Sequence, residues 1–402
     1  MTASGGADRL LRTIWAARWA VLLLVGLAQY GRFSDPFGLF IVSSALVLSL
    51  LALSIDLQWG YAGILNLGPA AYLGLGAYTY ALVQRNVTVG SPTWLAFGLA
   101  ILLGVVLAVV VAYPAFKART LPVYYALITL AVALILQRWT AVSYNLTGGS
   151  NGITGIRLPD FSLPGFDLRM TTADQFFPLA AGVAIVVYLA LLWLTRSRFG
   201  RVMAAIRDDE EKAATLGYDV SGVKLIVAAI AGGIGALAGA LYAPLIGTAH
   251  PSMFGIAFTI QAFVWVAVGG QGTLIGPLLA AIALKLLENQ LRGISADGYV
   301  MVMAALFMLA VIFLPQGIAG LFARVASESR GRWEPRRPVR PESPSSPALL
   351  PVRGEKGALT SDAVANHEPL APHTGRLPPP VKGGSGGRRV GVRGVGEEGF
   401  HG

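Results

Sequence analysis

The sequence contains no cysteine. That absence excludes disulfide scaffolds, cysteine-ligated zinc, iron–sulfur clusters and thiol catalysis together. Charge is scarce as well. Asp, Glu, Lys and Arg make up 13% of 402 residues, against about 25% in an ordinary soluble domain. So few charges cannot coat a water-soluble surface of this size. Histidine is rare: four in all, three of them (His367, His373, His401) near the end of the chain. What is abundant is apolar. Hydrophobic residues reach 54% and the mean hydropathy is +0.62. The net charge of +10 would suit a nucleic-acid binder, so its location has to be settled before its meaning.

Composition divides the chain in two. Residues 328–402 are rich in Pro, Gly, Arg and Ser and hold no apolar run long enough for a core. They carry 12 basic and 8 acidic residues, a net of +4, and leave a net of +6 for residues 1–327. Such a segment reads as a disordered, solvated tail. A basic tail beside a membrane domain also matches the positive-inside rule on the cytoplasmic face.

Residues 1–327 are a series of membrane-length apolar runs, each close to the roughly 20 residues that a bilayer core requires. The spacing predicts spans over 37–55, 61–83, 94–113, 121–142, 176–195, 223–247, 256–270, 274–287 and 299–322. An earlier run, 15–30, is short like a signal peptide. No small-residue cleavage site follows it, so it reads as a retained first helix. The expected architecture is therefore an all-α, polytopic membrane bundle of about ten transmembrane helices. With the N-terminus inside, segments on the cytoplasmic side carry twelve Lys or Arg and those outside carry five. That bias predicts both termini in the cytoplasm. The basic excess is thus topology rather than a nucleic-acid footprint.

Polar groups within the spans are few, and by default such groups mark a pathway or an internal pair. Asp56 and Gln58 close one span and Asn66 opens the next. Gln137 and Arg138 lie in the span from 121, Gln261 in the eighth, Lys285 and Glu288 in the ninth. Asp56 and Arg138 are placed to snorkel to an interface. Lys285 and Glu288, three apart, can pair on one helix face as a structural pair. Two glycine clusters stand out. Gly232, Gly233, Gly235 and Gly239 suggest close helix packing. Gly63, Gly68, Gly74 and Gly76, with Pro69 among them and polar groups nearby, suggest instead a broken helix lining a path.

The longest inside loop, 196–222, contains RVMAAIRDDEEKAATLG. Residues 200–216 suit one amphipathic helix with Val202, Ile206 and Leu216 on its apolar face, an acidic knot at Asp208, Asp209, Glu210 and Glu211, and Gly217 as stop signal. A short helix beneath a bundle is a surface a partner can grip, although a plain solvated loop would carry the same charges. On the other side, residues 144–156 (YNLTGGSNGITGI) suggest tight turns. No Lys-Ser/Thr pair follows these glycines, so they are not a phosphate loop.

Several stretches, taken together, resemble the permeases of branched-chain amino acid ABC transporters. Residues 53–82 (LSIDLQWGYAGILNLGPAAYLGLGAYTYAL) are similar to the family's second and third helices. TGGSNGITGI (147–156) resembles its TGG loop, and residues 197–225 its coupling loop. AGALYA (238–243) and VGGQGTLIGP (268–277) match further, so the likeness covers about residues 50–322. Two positions depart from the pattern. Pro69 stands where the family commonly has histidine, and Lys212 where importer coupling loops generally have alanine.

The resemblance implies one multi-pass subunit of an importer in the bacterial cytoplasmic membrane, with residues 1–327 as the permease domain. Its partners would be cytoplasmic ABC ATPase subunits, a second homologous permease, a periplasmic or lipid-tethered binding protein, and membrane lipid, with no nucleic acid. The coupling residues would be Arg207, Asp208, Asp209, Glu210, Glu211, Ala213, Ala214 and Gly217. Candidates along the substrate path are Asn66, Thr129 and Gln137. No metal or cofactor is implied, and the chain has no Walker A sequence, so ATP would be hydrolysed on other chains.

Rival readings are open at this stage. Urea and short-chain amide permeases have the same architecture, and WVAVGGQGTL is reminiscent of that branch. An ATP-independent carrier or channel is a second class. A membrane enzyme is a third, but residues 1–327 hold one histidine (His250) and no acidic pair within a span, so no catalytic constellation is visible.

Overall fold

The computed structural model describes residues 36–87, 93–118, 120–162 and 169–294, together with Met308. The spans expected at 15–30 and 299–322 and the tail 328–402 lie outside the described residues. The helices are α1 (Pro36–Ile55), α2 (Pro69–Asn86), α3 (Thr93–Lys117), α4 (Pro122–Val142), the single turn α5 (Tyr144–Thr147), α6 (Ala173–Arg196), α7 (Arg198–Asp208), α8 (Glu210–Thr215), α9 (Val220–Ile246), α10 (Ile256–Gly269) and α11 (Ile275–Ile294). Two short strands, β1 (Ile153–Thr154) and β2 (Thr248–Ala249), pair antiparallel. Among the described residues, five helices are long and apolar enough to cross a membrane. They are α1 with its π-helical extension, α3, α4, α6 and α9.

The central element is α1, which is buried along nearly its whole length and packs against α6, α9, α10 and α11. Its sequence suits that place. Leu and Val fill the contacts, and three serines dispose of their hydroxyls within the helix: Ser44, Ser49 and Ser54 each donate to the carbonyl three residues back. By contrast α3, α4 and α6 turn large apolar side chains outward, among them Val110, Ile135, Val186 and Trp193. Lipid in place of water as the solvent accounts for such a surface.

Glycine sets the spacing around α9. A methyl group at Gly239 would overlap the Leu73 carbonyl oxygen on α2, and one at Gly76 would overlap that of Ala236. At Gly104 it would lie 2.5 Å from the Gly232 oxygen. The packing expected for the 232–239 cluster is therefore present. It extends to Gly74 and Gly76, which were expected to line a path. Gly74 instead makes room for the Phe254 ring. Small residues let backbones approach where no aqueous hydrophobic effect drives helices together.

The span expected over 61–83 is not one helix. After Ile55 the chain widens into a π-helical turn, Asp56–Tyr61, and residues 62–68 then leave helical geometry. Gly63 takes a left-handed φ of 69°, and the helix resumes at Pro69. Proline is thus the first residue of α2, where its missing N–H costs nothing, rather than a break in mid-helix.

The expected Lys285–Glu288 pair proves to be part of a larger cluster. The buried Glu288 carboxylate also binds Arg292 at 2.5 Å and accepts from Gln261 Nε2 on α10 at 2.8 Å, besides Lys285 at 3.1 Å. A carboxylate removed from water needs such saturation, and the cluster fastens α11 to α10.

Candidate functional site

Three separate stretches converge: the π-helical turn after α1, the α10–α11 loop and the end of α7. Asp56 organises the first two. Its side chain is fully buried, not snorkelling as its position near a span end suggested. Oδ1 accepts from Gly272 N at 2.6 Å and Oδ2 from Leu274 N at 3.0 Å. Leu274 is a non-glycine residue with φ of 55°, and Gly272 has φ of 75°. These left-handed conformations, strained at Leu274 and free of strain at glycine, turn two amides toward one carboxylate.

Arg207, the last basic residue of α7, reaches the same point. Its Nη1 donates to the Gly60 carbonyl. A methyl group at Gly63 would sit 2.9 Å from Arg207 Cγ, and one at Gly272 would sit 3.4 Å from Arg207 Nη1. At Gly60 it would overlap both Asp56 Oδ1 and Gly272 N. Only glycine admits so close a meeting of three backbones.

The unwound stretch beyond this joint holds a polar cluster. Asn66 Nδ2 donates to Gln58 Oε1 at 2.9 Å and to the Tyr72 hydroxyl at 3.4 Å, while its Oδ1 accepts from Gly68 N at 2.8 Å. Thr129 on α4 accepts from Leu67 N at 3.1 Å. Two of the three sequence candidates, Asn66 and Thr129, are therefore brought together and buried. Gln137 is not with them. It lies eight residues further along α4, about 12 Å on, half-buried beside Gly255. A narrow cleft lined by Ile55, Gln58, Trp59, Ile64, Asn66 and Pro69 has no room for a water-sized sphere.

The segment 196–222 folds as two helices, not as the single one expected. The break falls at Asp209, which leaves helical geometry and caps α8 by accepting from Lys212 N at 2.9 Å. The Lys212 side chain and this amide hold the Asp209 carboxyl below its usual range. The cap is therefore formed at neutral pH and is lost as pH falls through that lowered value. Ile206, Ala213 and Val220 form a small core with Val202 half-buried against it. Leu216, expected on the apolar face, is instead 77% exposed. Because the break re-phases the helix, Leu216 projects beside the left-handed Gly217. Glu210 pairs with Lys224 of α9 at 2.5 Å, whereas Asp208, Glu211 and Ala214 face outward.

The glycine loop is anchored beside β2, which follows the end of α9. Thr147 Oγ1 lies 2.6 Å from the carbonyl oxygens of both Thr140 and Ser143, which share its one hydroxyl proton. Ile153 pairs with Ala249, and Ile156 N donates to Gly247 O at 3.1 Å. Sequence reasoning did not find the roles of Gly60, Tyr72 and Gly272. The VGGQGTLIGP motif was the available signal for the last of these.

A family model described as the permease component of the branched-chain amino acid transport system matches residues 38–312. The high-affinity branched-chain amino acid transport system permease protein LivM of Escherichia coli is 27% identical over 297 residues, which cover 69% of this chain and 69% of that protein. LivH of the same transport system and organism is 25% identical over 289 residues, 68% and 91% of the two chains. The ribose import permease protein RbsC of Escherichia coli is 27% identical over 281 residues, 68% and 80%. No solved structure matches.

Proposed function

The chain belongs to the family of branched-chain amino acid transport permease components, and from that premise we propose that it is the membrane subunit of an ABC importer for branched-chain amino acids. The family makes it a membrane permease of ABC transporters. The substrate, the partners and the topology are our reading.

In this reading the bundle has about ten spans with both termini cytoplasmic, and sits in the inner membrane. A binding protein delivers substrate at the end that carries residues 147–156, and a second permease completes the path. Separate ATPase chains dock on residues 196–222, where Asp208, Glu211, Ala214, Leu216 and Gly217 present an acidic and apolar surface. A zwitterionic substrate would find its polar partners among Gln58, Asn66 and Thr129, with Gln137 further along the path. Closure of the ATPases switches a bistable packing rather than bending it. The observation that carries this reading is the seating of the coupling segment, through Arg207, directly on the broken end of α1.

Uptake of labelled leucine by vesicles holding the complete importer tests it. Leucine uptake should require ATP and the binding protein, and should be competed by valine and isoleucine. Accumulation of ribose or urea in place of leucine would reassign the substrate, and uptake without ATP would make the chain a secondary carrier. Residues 328–402, proposed as a solvated tail outside the path, should be removable. Uptake per chain in the membrane should stay within twofold after their deletion, and its loss would give the tail a role.

A further inference from the structure

We propose that Arg207 and Asp56 are positioning residues of a gate: Arg207 transmits movement of the coupling segment to residues 58–68, and Asp56 holds the opposite side of that gate fixed. The inference rests on the reading of residues 196–222 as the segment that ATPases move.

The gate is the unwound stretch between α1 and α2. Its side chains Gln58, Ile64 and Asn66, with Pro69, close a cleft that excludes a water-sized sphere. The stretch is packed on the main core through Ala62 and Ile64, and its polar attachments are specific. Internally, Ile64 N donates to Gln58 O at 2.8 Å, and Asn66 bridges to Gln58. Externally, Leu67 N reaches Thr129, Asn66 reaches the Tyr72 hydroxyl on α2, and the Trp59 ring packs on Phe263 of α10.

Its remaining tether to the coupling segment is Arg207. The guanidinium donates to the Gly60 carbonyl, and its stem lies on Gly63, whose lack of a side chain makes the contact possible. That carbonyl lies in the π-helical turn, where the i→i+4 ladder is already interrupted and an outside donor competes best. Opposite, Asp56 grips the α10–α11 loop through Gly272 and Leu274. There is no slack between the two grips, since Gly60, Asp56 and Gly272 leave no space for even a methyl group. α7 itself is seated by buried Met203 and Ile206, so it moves as a piece. A displacement of α7 must therefore carry Gly60 with it or break the Arg207 contact, while Asp56 keeps the far wall in register. Either outcome opens the cleft at Ile64.

The cysteine-free chain allows a clean test that uses no transported substrate, so it fails independently of the leucine experiment. Ile64→Cys places one thiol in the cleft wall, and Ala180→Cys, buried on α6 away from the joint, serves as control. Both are read in membranes containing the full chain and its ATPases, with a water-soluble maleimide. On the native background both thiols should label slowly. Arg207→Ala should speed labelling at position 64 at least tenfold and leave position 180 unchanged, with the ATPases still co-purifying. Arg207→Lys, which keeps a donor for the Gly60 carbonyl, should speed it less than threefold. Asp56→Asn, which keeps one of two acceptors, should fall between. Labelling at position 64 within twofold of the native rate in Arg207→Ala would overturn the proposal. Equal acceleration at both positions would also overturn it, since that reports general loosening. If Arg207→Ala does not reach the membrane, Arg207→Gln is read by the same criteria.

Discussion

Replacing Asp209, Glu210 and Glu211 together with alanine should abolish substrate uptake while the chain still inserts into the membrane. The expectation follows from how little holds α8. A six-residue helix has no stability of its own. Its N-terminus depends on the Asp209 cap, the acceptor for the Lys212 amide. Its second tie is the Glu210–Lys224 pair at 2.5 Å, half-exposed on the glutamate side, which adds at most about 1 kcal/mol. Its one buried apolar anchor is Ala213. With cap and pair gone, α8 should unravel and take the outward-facing Glu211, Ala214 and Leu216 with it. The transmembrane packing of α9 lies beyond Val220 and is untouched. ATPase co-purification and uptake are the two measurements, and both should fall. Transport at the native rate would remove residues 209–211 from coupling. This differs from the outcome expected for Arg207→Ala, which should keep the ATPases bound and loosen only the gate.

Asp56→Ala should cost stability on a scale that few other single changes here would match. The carboxylate is the acceptor for two amides, Gly272 N and Leu274 N, at a point water does not reach. Each buried donor left without a partner costs about 1–3 kcal/mol, so the substitution should cost about 2–6 kcal/mol. Marginal stabilities are about 5–15 kcal/mol, so a large share of the total is at stake. The left-handed Leu274 would lose the interaction that offsets its strain. Asp56→Asn should recover part of the loss, because one carbonyl oxygen remains. The measurement is thermal unfolding of the purified chain in detergent. A midpoint for Asp56→Ala equal to that of the native chain would show that Asp56 does not hold the loop.

How far the sequence reached can be judged residue by residue. The runs around 37–55, 94–113, 121–142, 176–195 and 223–247 each correspond to a long helix within a few residues, because lipid demands continuous apolar length and that is a local property. The run at 61–83 was misjudged for an equally local reason. Average hydropathy passes over Gly63 and Pro69, yet one left-handed glycine and one proline suffice to end and restart a helix. In residues 196–222 the acidic knot drew attention as charge. Asp209 acts there first as a cap, and capping depends on backbone angles that composition does not show. Asn66 and Thr129 were both found as polar residues inside spans. That they share one cluster while Gln137 does not was decided by where α4 crosses the break after α1.

By itself, then, the sequence determined the class of molecule. Scarce charge and membrane-length apolar runs leave a multi-pass membrane bundle, and an ordered set of motifs leaves one family of permeases. Only the tertiary structure decided what the polar residues do. Asp56 and Leu274 are 218 positions apart, and Arg207 and Gly60 are 147 apart. No local pattern connects them. They meet because a buried carboxylate and an interrupted backbone must each find hydrogen-bond partners where water is absent, and the partners within reach are those that the packing of α1, α7, α10 and α11 brings to one point.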